Sequence, residues 1–543
     1  MDTKRLIIAL ALSLVVLFGW SYLFPPAEPV APPAPAAQTA NQTAAKLEPG
    51  ASAPATAAEP AAVTPPASQA RKISVKTPLF LARFSSQGGV LERFDLLRFH
   101  QTLDPESAPI DMVGDKARDR MALGVVLKPT GQEIHTWNSP NWTSDGQDMD
   151  LKAGEKKTLT FTGEAGGLRL ERRLTVSADS YLITEELLVT NPGAAAVTGQ
   201  VAFTAASESL SPSDNNKYNP TRIAYGAAKT GFEEMTSLSD LEKKGIDSKE
   251  HGSIHWGAIE SNYFIFAILP GAADAQLNGL YKSEVFNMAV SQAASIAPGQ
   301  TQTFKCSYYV GPADRAILAG MPNKLSDAVD FGWFHLIAVP LLKLLNWFYL
   351  YVHNYGVAII LLTVLIKLIF WPLSQKSYKS MDQMKRLQPM LTKLREKYAD
   401  DKERMNQEVM ALYKTYKVNP AGGCLPMVVQ IPVFFGLYKA LLGSIELRHA
   451  AFISHVPFTN LVWLADLSVK DPYYVTPLIM GATMFIQQKM TPSGGDPMQA
   501  KIMLLMPVVF TFMFLNFPAG LVVYWLVNNV LSIGQQWWMM RKA

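Results

Sequence analysis

Cysteine is nearly absent: the chain has two in 543 residues, Cys306 and Cys424, set in regions of different composition. Neither a disulfide framework nor a thiolate metal site can be built from them. An excess of one charge is missing too, since 49 Lys and Arg against 45 Asp and Glu leave a net +4. That balance argues against a nucleic-acid binder unless one region is locally basic. No GxxxxGK[ST] phosphate loop and no HExxH appears, so nucleotide hydrolysis and zinc proteolysis lack their usual motifs. Charged residues make up only 17% of the chain and hydrophobic ones 49%, a mixture of membrane and water-facing parts. At about 150 residues per domain the length allows three or four units.

The hydrophobic residues are unevenly spread. Residues 1–24 start with Lys4 and Arg5, run apolar from Leu6 to Leu17 and end in Phe18, Trp20, Tyr22 and Phe24. Basic residues at one end and aromatics at the other suit an uncleaved transmembrane anchor, although Ala34-Pro-Ala36 keeps a cleaved signal peptide conceivable. Residues 25–70 are mostly Ala and Pro, an extended linker that can reach well beyond the membrane surface. Over 71–321 short stretches of alternating polarity, such as Thr158–Thr162, Leu168–Leu170, Leu174–Val176, Tyr181–Thr190, Val201–Ala205 and Phe304–Val310, predict a large antiparallel β-sandwich. His251 and His255 are four apart, but on loop and strand that spacing does not put two imidazoles on one face, so no metal site is expected.

After Asn323 the pattern becomes helical. Residues 322–349 mix Asp327, Asp330, His335 and Lys343 with Leu, Phe and Trp, as an amphipathic helix at a membrane interface does. Apolar runs then predict transmembrane helices at 350–371, 425–448, 473–489, 502–516 and 520–538, which with the anchor make six. The run 502–516, at roughly 22 Å of helix, is short for a hydrocarbon core of about 30 Å and predicts local thinning of the bilayer. Between the second and third spans, 372–424 carries a cluster of basic residues that includes Lys385, Arg386, Lys393, Arg395, Lys402 and Arg404. The positive-inside rule makes this segment cytoplasmic, leaves both termini inside, and puts the β domain and the 449–472 loop outside, with 490–501 inside. Apolar residues step by three and four from Met384 to Tyr398 and from Met405 to Tyr416, so the segment reads as a helical hairpin, with Asp400 and Glu403 as a capping signal. It is either a solvated pair packed on itself or a docking surface for anionic lipid, ribosomal RNA or a targeting partner, and the two are compatible.

Lys367 sits inside Leu361–Trp371, where a charge costs a few kcal/mol unless it meets water or a partner. Snorkelling to the interface past Trp371 is one solution. Gln430, Gln487, Asn528, Asn529, Gln535 and Gln536 also need partners inside a membrane, and no carboxylate lies near mid-membrane to pair with Lys367. A hydrated groove open to the cytoplasm is the alternative, able to receive another chain's polar group. An intramembrane protease would need a Gly-x-Ser-Gly or a paired-aspartate site in a span, and neither is present. A secondary transporter fits the helix prolines Pro426, Pro432, Pro477 and Pro507, but no inverted repeat or buried coupling carboxylate supports it.

The stretches Pro420–Tyr438 (PAGGCLPMVVQIPVFFGLY), Pro472–Met490 (PYYVTPLIMGATMFIQQKM) and Pro497–Asn529 (PMQAKIMLLMPVVFTFMFLNFPAGLVVYWLVNN) closely resemble the YidC membrane protein insertases of Gram-negative bacteria. The likeness runs from about Asn323 to Gln536, and the β domain is its looser part. It implies a polytopic helical bundle with a five-helix core shared with mitochondrial and chloroplast relatives, plus a periplasmic β-supersandwich. It also implies an insertase and chaperone of the inner membrane, without covalent catalysis or cofactor, acting alone or with the Sec translocon and in contact with ribosomes. Lys367 stands where the family typically has Arg. Thr363, Gln430, Tyr524, Trp525 and Asn528 match positions around the family's groove, and the basic hairpin matches its substrate-receiving region. Lys439 is a second departure, read as snorkelling outward.

Overall fold

In the computed structural model of the chain, residues 70–542 are described apart from 212–215, 217, 400, 417, 419–424, 457, 460 and 491–496. The expected anchor 1–24, the linker up to residue 69, Cys424 and Asp400 lie outside the described residues.

The alternating segments form strands, gathered into sheets of five, nine and six. The nine-stranded sheet carries most of the expected strands, with Lys156–Ala165, Leu168–Ser177, Leu182–Thr190 and Thr301–Pro312 side by side and antiparallel, while the expected Val201–Ala205 lies in Val197–Ser207 of the six-stranded sheet. Along Leu168–Ser177 every second residue is buried, because successive side chains of a strand point to opposite faces. Leu168, Leu170, Leu174 and Val176 fill the core on that parity, each contributing about 1.5–3 kcal/mol of transfer free energy. The same parity turns Arg172 inward, where its side chain is fully buried. Glu185 on the adjacent strand answers it at 2.7 Å, and Tyr308 donates to the same carboxylate at 2.8 Å. Arg172 also donates to the carbonyls of Gly88 and Leu123. One buried guanidinium therefore ties the large sheet to loops of the other two.

Beyond the β domain come eight helices among the described residues: α1 His335–Val352, α2 Tyr355–Ile369, α3 Trp371–Lys397, α4 Lys402–Thr415, α5 Leu425–Leu442, α6 Val475–Met490, α7 Pro497–Phe514 and α8 Ala519–Lys542. Their bounds depart from the sequence expectation where local chemistry intervenes. The apolar run does not enter α2 at residue 350, because His353 adopts a left-handed φ of 48° and the Asn354 side chain accepts from the Val357 amide at 3.0 Å, capping a new helix. Residues 350–352 thus belong to α1, and the segment before it, 322–334, holds only two short 3-10 turns. Pro372 falls in the first turn of α3, and α2 and α3 meet at a bend of 64°. Asp401, one residue after the expected cap, caps α4 by accepting from the Arg404 amide at 3.0 Å. α5 stops at Leu442, ahead of the expected 448. α7 starts at Pro497 and has 18 residues, but its first turns carry Gln499 and Lys501, so its apolar part, Met503–Phe514, is still short for a hydrocarbon core of about 30 Å. α8 runs on past Trp538 to Lys542.

The β domain sits on one end of the helices. Asn262 donates to the Leu442 carbonyl at 3.3 Å, Arg448 to the His100 carbonyl at 2.8 Å, and Tyr218 packs against Phe517. At that proximal end the bundle is dry: Leu362, Leu437, Met480, Phe514, Val522 and Val523 form one buried apolar cluster. α3 and α4 pack through Leu387, Leu391, Val409 and Leu412 into a small core of their own. The outward faces of the bundle are apolar and open, with Val428, Ile431, Leu478, Ile486, Val509 and Phe512 all exposed. By length and composition only Gly332–Val352 could cross a membrane as one unbroken helix among the described residues, or two segments if the bent α2–α3 pair is taken as a single span.

Candidate functional site

The polar residues of the bundle line up on α8. Tyr524, Asn528 and Ser532 are spaced by four and so share one face, with Asn529, Gln535 and Gln536 beside them. From Tyr524 to Gln536 this column is about 18 Å long. Each neighbouring helix contributes to it. Lys367 of α2 donates to the Ser532 hydroxyl at 2.7 Å, and that hydroxyl donates to the Asn528 carbonyl, also at 2.7 Å. Gln430 of α5 donates to the Asn528 side-chain oxygen at 2.8 Å. Thr483 of α6 receives Asn529 at 3.5 Å, the Met490 carbonyl receives Gln536 at 2.8 Å, and Tyr378 of α3 reaches the Ser532 carbonyl at 3.5 Å.

Lys367, Gln430 and Asn528 are therefore brought together. The ammonium of Lys367 is turned into the bundle, and it has no carboxylate partner among the described residues. Three polar atoms of the column, the Tyr524 hydroxyl, Gln535 Nε2 and Gln536 Oε1, are buried with no partner among the described residues. Buried polar groups are nearly always satisfied, so these three orphans are the unfinished part of the column's bonding.

Thr363 and Trp525 do something else. Thr363 donates to the Ile359 carbonyl of its own helix at 2.7 Å, so its hydroxyl is already used. Trp525 meets Phe434 edge-on at 4.6 Å and Phe514 at 5.1 Å, closing the proximal end of the column with an aromatic plug. The column is polar only from Tyr524 toward the end away from the β domain. Ser532 is the partner that sequence reasoning missed; its signal is its place four residues after Asn528, which a single Ser in an apolar helix hardly announces. Lys439 is half-buried and lines a cavity beneath the β domain.

On α3 and α4, Lys385, Arg386, Lys393 and Arg404 are exposed and Arg395 is half-exposed, while the side chain of Lys402 lies outside the described residues. Arg386 pairs with Asp382 at 3.0 Å and Arg404 lies over the Tyr398 ring. His251 bonds to the Tyr225 hydroxyl and His255 is exposed on its strand; no cluster of metal-ligating side chains occurs among the described residues.

Two family descriptions cover nearly all of this architecture: residues 72–344 match the YidC periplasmic domain, and residues 347–543 match the 60Kd inner membrane protein. The chain belongs to the YidC family. Over their full lengths, it is 52% identical to the membrane protein insertase YidC of Maridesulfovibrio salexigens and 53% identical to that of Nitratidesulfovibrio vulgaris strain DP4. A crystal structure of an active YidC insertase with its first transmembrane domain resolved matches at 17% identity and a TM-score of 0.37, over 85% of this chain and 91% of that one. The resemblance drawn from residues 420–438, 472–490 and 497–529 is thus upheld, as is the fold class of an antiparallel β domain joined to a helical core. The YidC family match divides the chain at α1, where strand gives way to helix.

Proposed function

We propose that this chain is a membrane protein insertase and chaperone that takes hydrophobic nascent segments into the α8 column and releases them sideways into the inner membrane. The observation that carries this reading is the inversion of polarity. One ammonium and several amides point inward while apolar side chains point out, the reverse of a soluble bundle and the arrangement lipid requires. The aromatic plug around Trp525 makes the column one-sided: a hydrophilic flank of a passenger can enter from the distal end without opening a continuous aqueous path. Lys367 and the amides would hold that flank while its apolar part partitions into lipid. Nothing in this scheme forms or breaks a covalent bond.

The distal end is the cytoplasmic one in this reading. Lys385, Arg386, Lys393, Arg395, Lys489 and Arg541 lie toward it, as the positive-inside rule asks, which leaves the β domain in the periplasm. α1 fits an interfacial helix because it and the 331–334 turn ahead of it meet the proximal part of α5, the residues just beyond, and the first residues of α2. Phe334 stacks on Phe435, Ile337 and Ala338 crowd Gly436, Phe331 meets Gly443, and Asn346 donates to Glu446. A helix running alongside α5 through the bilayer would cover Val428 and Ile431, which are exposed. The basic α3–α4 hairpin is the proposed first contact for ribosomes and anionic lipid, and the Sec translocon the proposed occasional companion.

Reconstitution tests the proposal. Purified protein in liposomes should promote insertion of a short single-span substrate in the absence of nucleotide. Accumulation of a small solute with no gain in insertion would replace the insertase reading with a transporter.

A further inference from the structure

A cavity of about 370 Å³ lies between the β domain, the 328–332 segment ahead of α1 and the proximal end of α5, apart from the α8 column. Its charged lining is Arg222, Glu233, Glu234 and Glu260 from the β domain, with Asp330 and Lys439 from the helical side. Arg222 bridges Glu234 at 2.8 Å and Glu260 Oε1 at 2.9 Å, and Asp330 faces His335 at 3.3 Å. Two groups are left over. Glu260 is 1% exposed, and its second oxygen, Oε2, has no partner among the described residues. Lys439 makes no ion pair among the described residues. A buried carboxylate oxygen is costly to leave unbonded, and burial pushes the Glu260 carboxyl up to about 7 even with Arg222 beside it. The cavity therefore offers one acceptor in search of a donor cation and one cation in search of an anion. Neither satisfies the other, since Glu260 Oε2 stays unbonded.

We infer that this cavity binds the headgroup of an amino-phospholipid, its primary ammonium donating to Glu260 Oε2 and its phosphate meeting Lys439. The apolar rim supplies the rest. Phe331, Leu442 and Val329 line the cavity, and just beyond Gly332 the side chains of Trp333 and Leu336 are 101% and 85% exposed, a path along which acyl chains can leave the head. A quaternary ammonium has no N–H to donate, and a glycerol headgroup has no cation, so the site discriminates phosphatidylethanolamine from phosphatidylcholine and phosphatidylglycerol. A lipid held here would fasten the β domain to the outer leaflet where it meets α5. The inference rests on α1 lying at the outer interface, but not on the α8 column, so failure of one site's tests leaves the other's standing.

The test is native mass spectrometry of the full chain released from detergent containing equal phosphatidylethanolamine, phosphatidylcholine and phosphatidylglycerol. Ethanolamine lipid should be retained about tenfold over the other two, the size of one charge-assisted hydrogen bond. Glu260→Gln should bring that ratio close to one, whereas Lys439→Met, which removes the contact to the phosphate that all three lipids share, should lower retention of all three several-fold. Thermal unfolding of both variants identifies any loss of fold; should Glu260→Gln fail to fold, Lys439→Met, which breaks no ion pair, decides. Equal retention of the three lipids by the wild type, or undiminished lipid retention in Lys439→Met, would overturn the inference. Displacement of the lipid by soluble glycerophosphoethanolamine, or by a lysine-flanked single-span peptide at equal concentration, would overturn it as well.

Discussion

Replacing Lys367 by methionine separates the stability of the bundle from its work. An ammonium at membrane depth costs about 2.5–3.5 kcal/mol on insertion scales. The single bond from Lys367 to Ser532, at 2.7 Å, returns about 1.5–3 kcal/mol of that. Methionine has similar length and no charge, and the Ser532 hydroxyl remains bonded to the Asn528 carbonyl, so no new orphan arises. Lys367→Met should therefore leave the fold as stable or more stable, by up to about 2 kcal/mol, or a few degrees in Tm. Insertion should move the other way, slowing about tenfold or more as the passenger loses its cationic partner. Lys367→Arg keeps the charge and should stay within about twofold of the wild type. Scanning fluorimetry in detergent and protease-protection assays in proteoliposomes read the two effects separately. A less stable Lys367→Met variant that inserts at the wild-type rate would refute the reasoning, leaving Lys367 a structural tie to α8.

Glu185→Leu strands the Arg172 charge in the β-domain core and should cost about 3–5 kcal/mol in denaturant unfolding, with most of it recovered in the double variant Arg172→Met/Glu185→Leu. Gly481→Val should lower Tm by crowding α6 against α7, because a Cβ at 481 would come within 2.0 Å of the Thr511 hydroxyl, and overpacking of this kind costs about 1–3 kcal/mol. Glu260 titrates near 7 in the fold against an ordinary value of 4.5, so its protonation favours the folded state; that stability is complete below the lower value and fades as pH rises through the higher one. The Tm of the wild type minus that of Glu260→Gln should accordingly fall between about pH 5 and pH 8, and a flat difference would contradict the burial argument. Removing Ala399–Tyr413 should cripple delivery of substrates from ribosomes while leaving the Tm of the β domain unchanged, and unaffected delivery would reduce the hairpin to packing.

Much of the fold can be read from side-chain parity. Leu168, Leu170, Leu174 and Val176 announce their strand because a two-residue apolar period matches the pleat of a half-buried strand and clashes with the 3.6-residue turn of a helix. The same parity puts Arg172 inside, yet its partner Glu185 depends on which strands pair, and that is decided by contacts distant in sequence. Helix ends are less legible. Leu350–Val352 look like the start of a span because hydrophobicity continues through them, while the break is made by one backbone angle at His353 and one side-chain cap at Asn354. In the site, Lys367, Gln430 and Asn528 stand out because polar groups in apolar runs need partners. Ser532 does not, since a lone hydroxyl can bond back to its own helix, as Thr363 does.

The most direct measurement is site-specific photocrosslinking from the bundle to a stalled single-span nascent chain in native membranes, comparing probes at Gln430 and Asn528 with probes at Val509 and Phe512 on the lipid-facing side of α7. If passengers rest in the α8 column, the first pair crosslinks to the hydrophilic flank of the chain and the second only to its apolar segment. Adducts at Val509 and Phe512 with none at Gln430 or Asn528 would mean that passengers slide along the outside of the bundle and that the column is not their path.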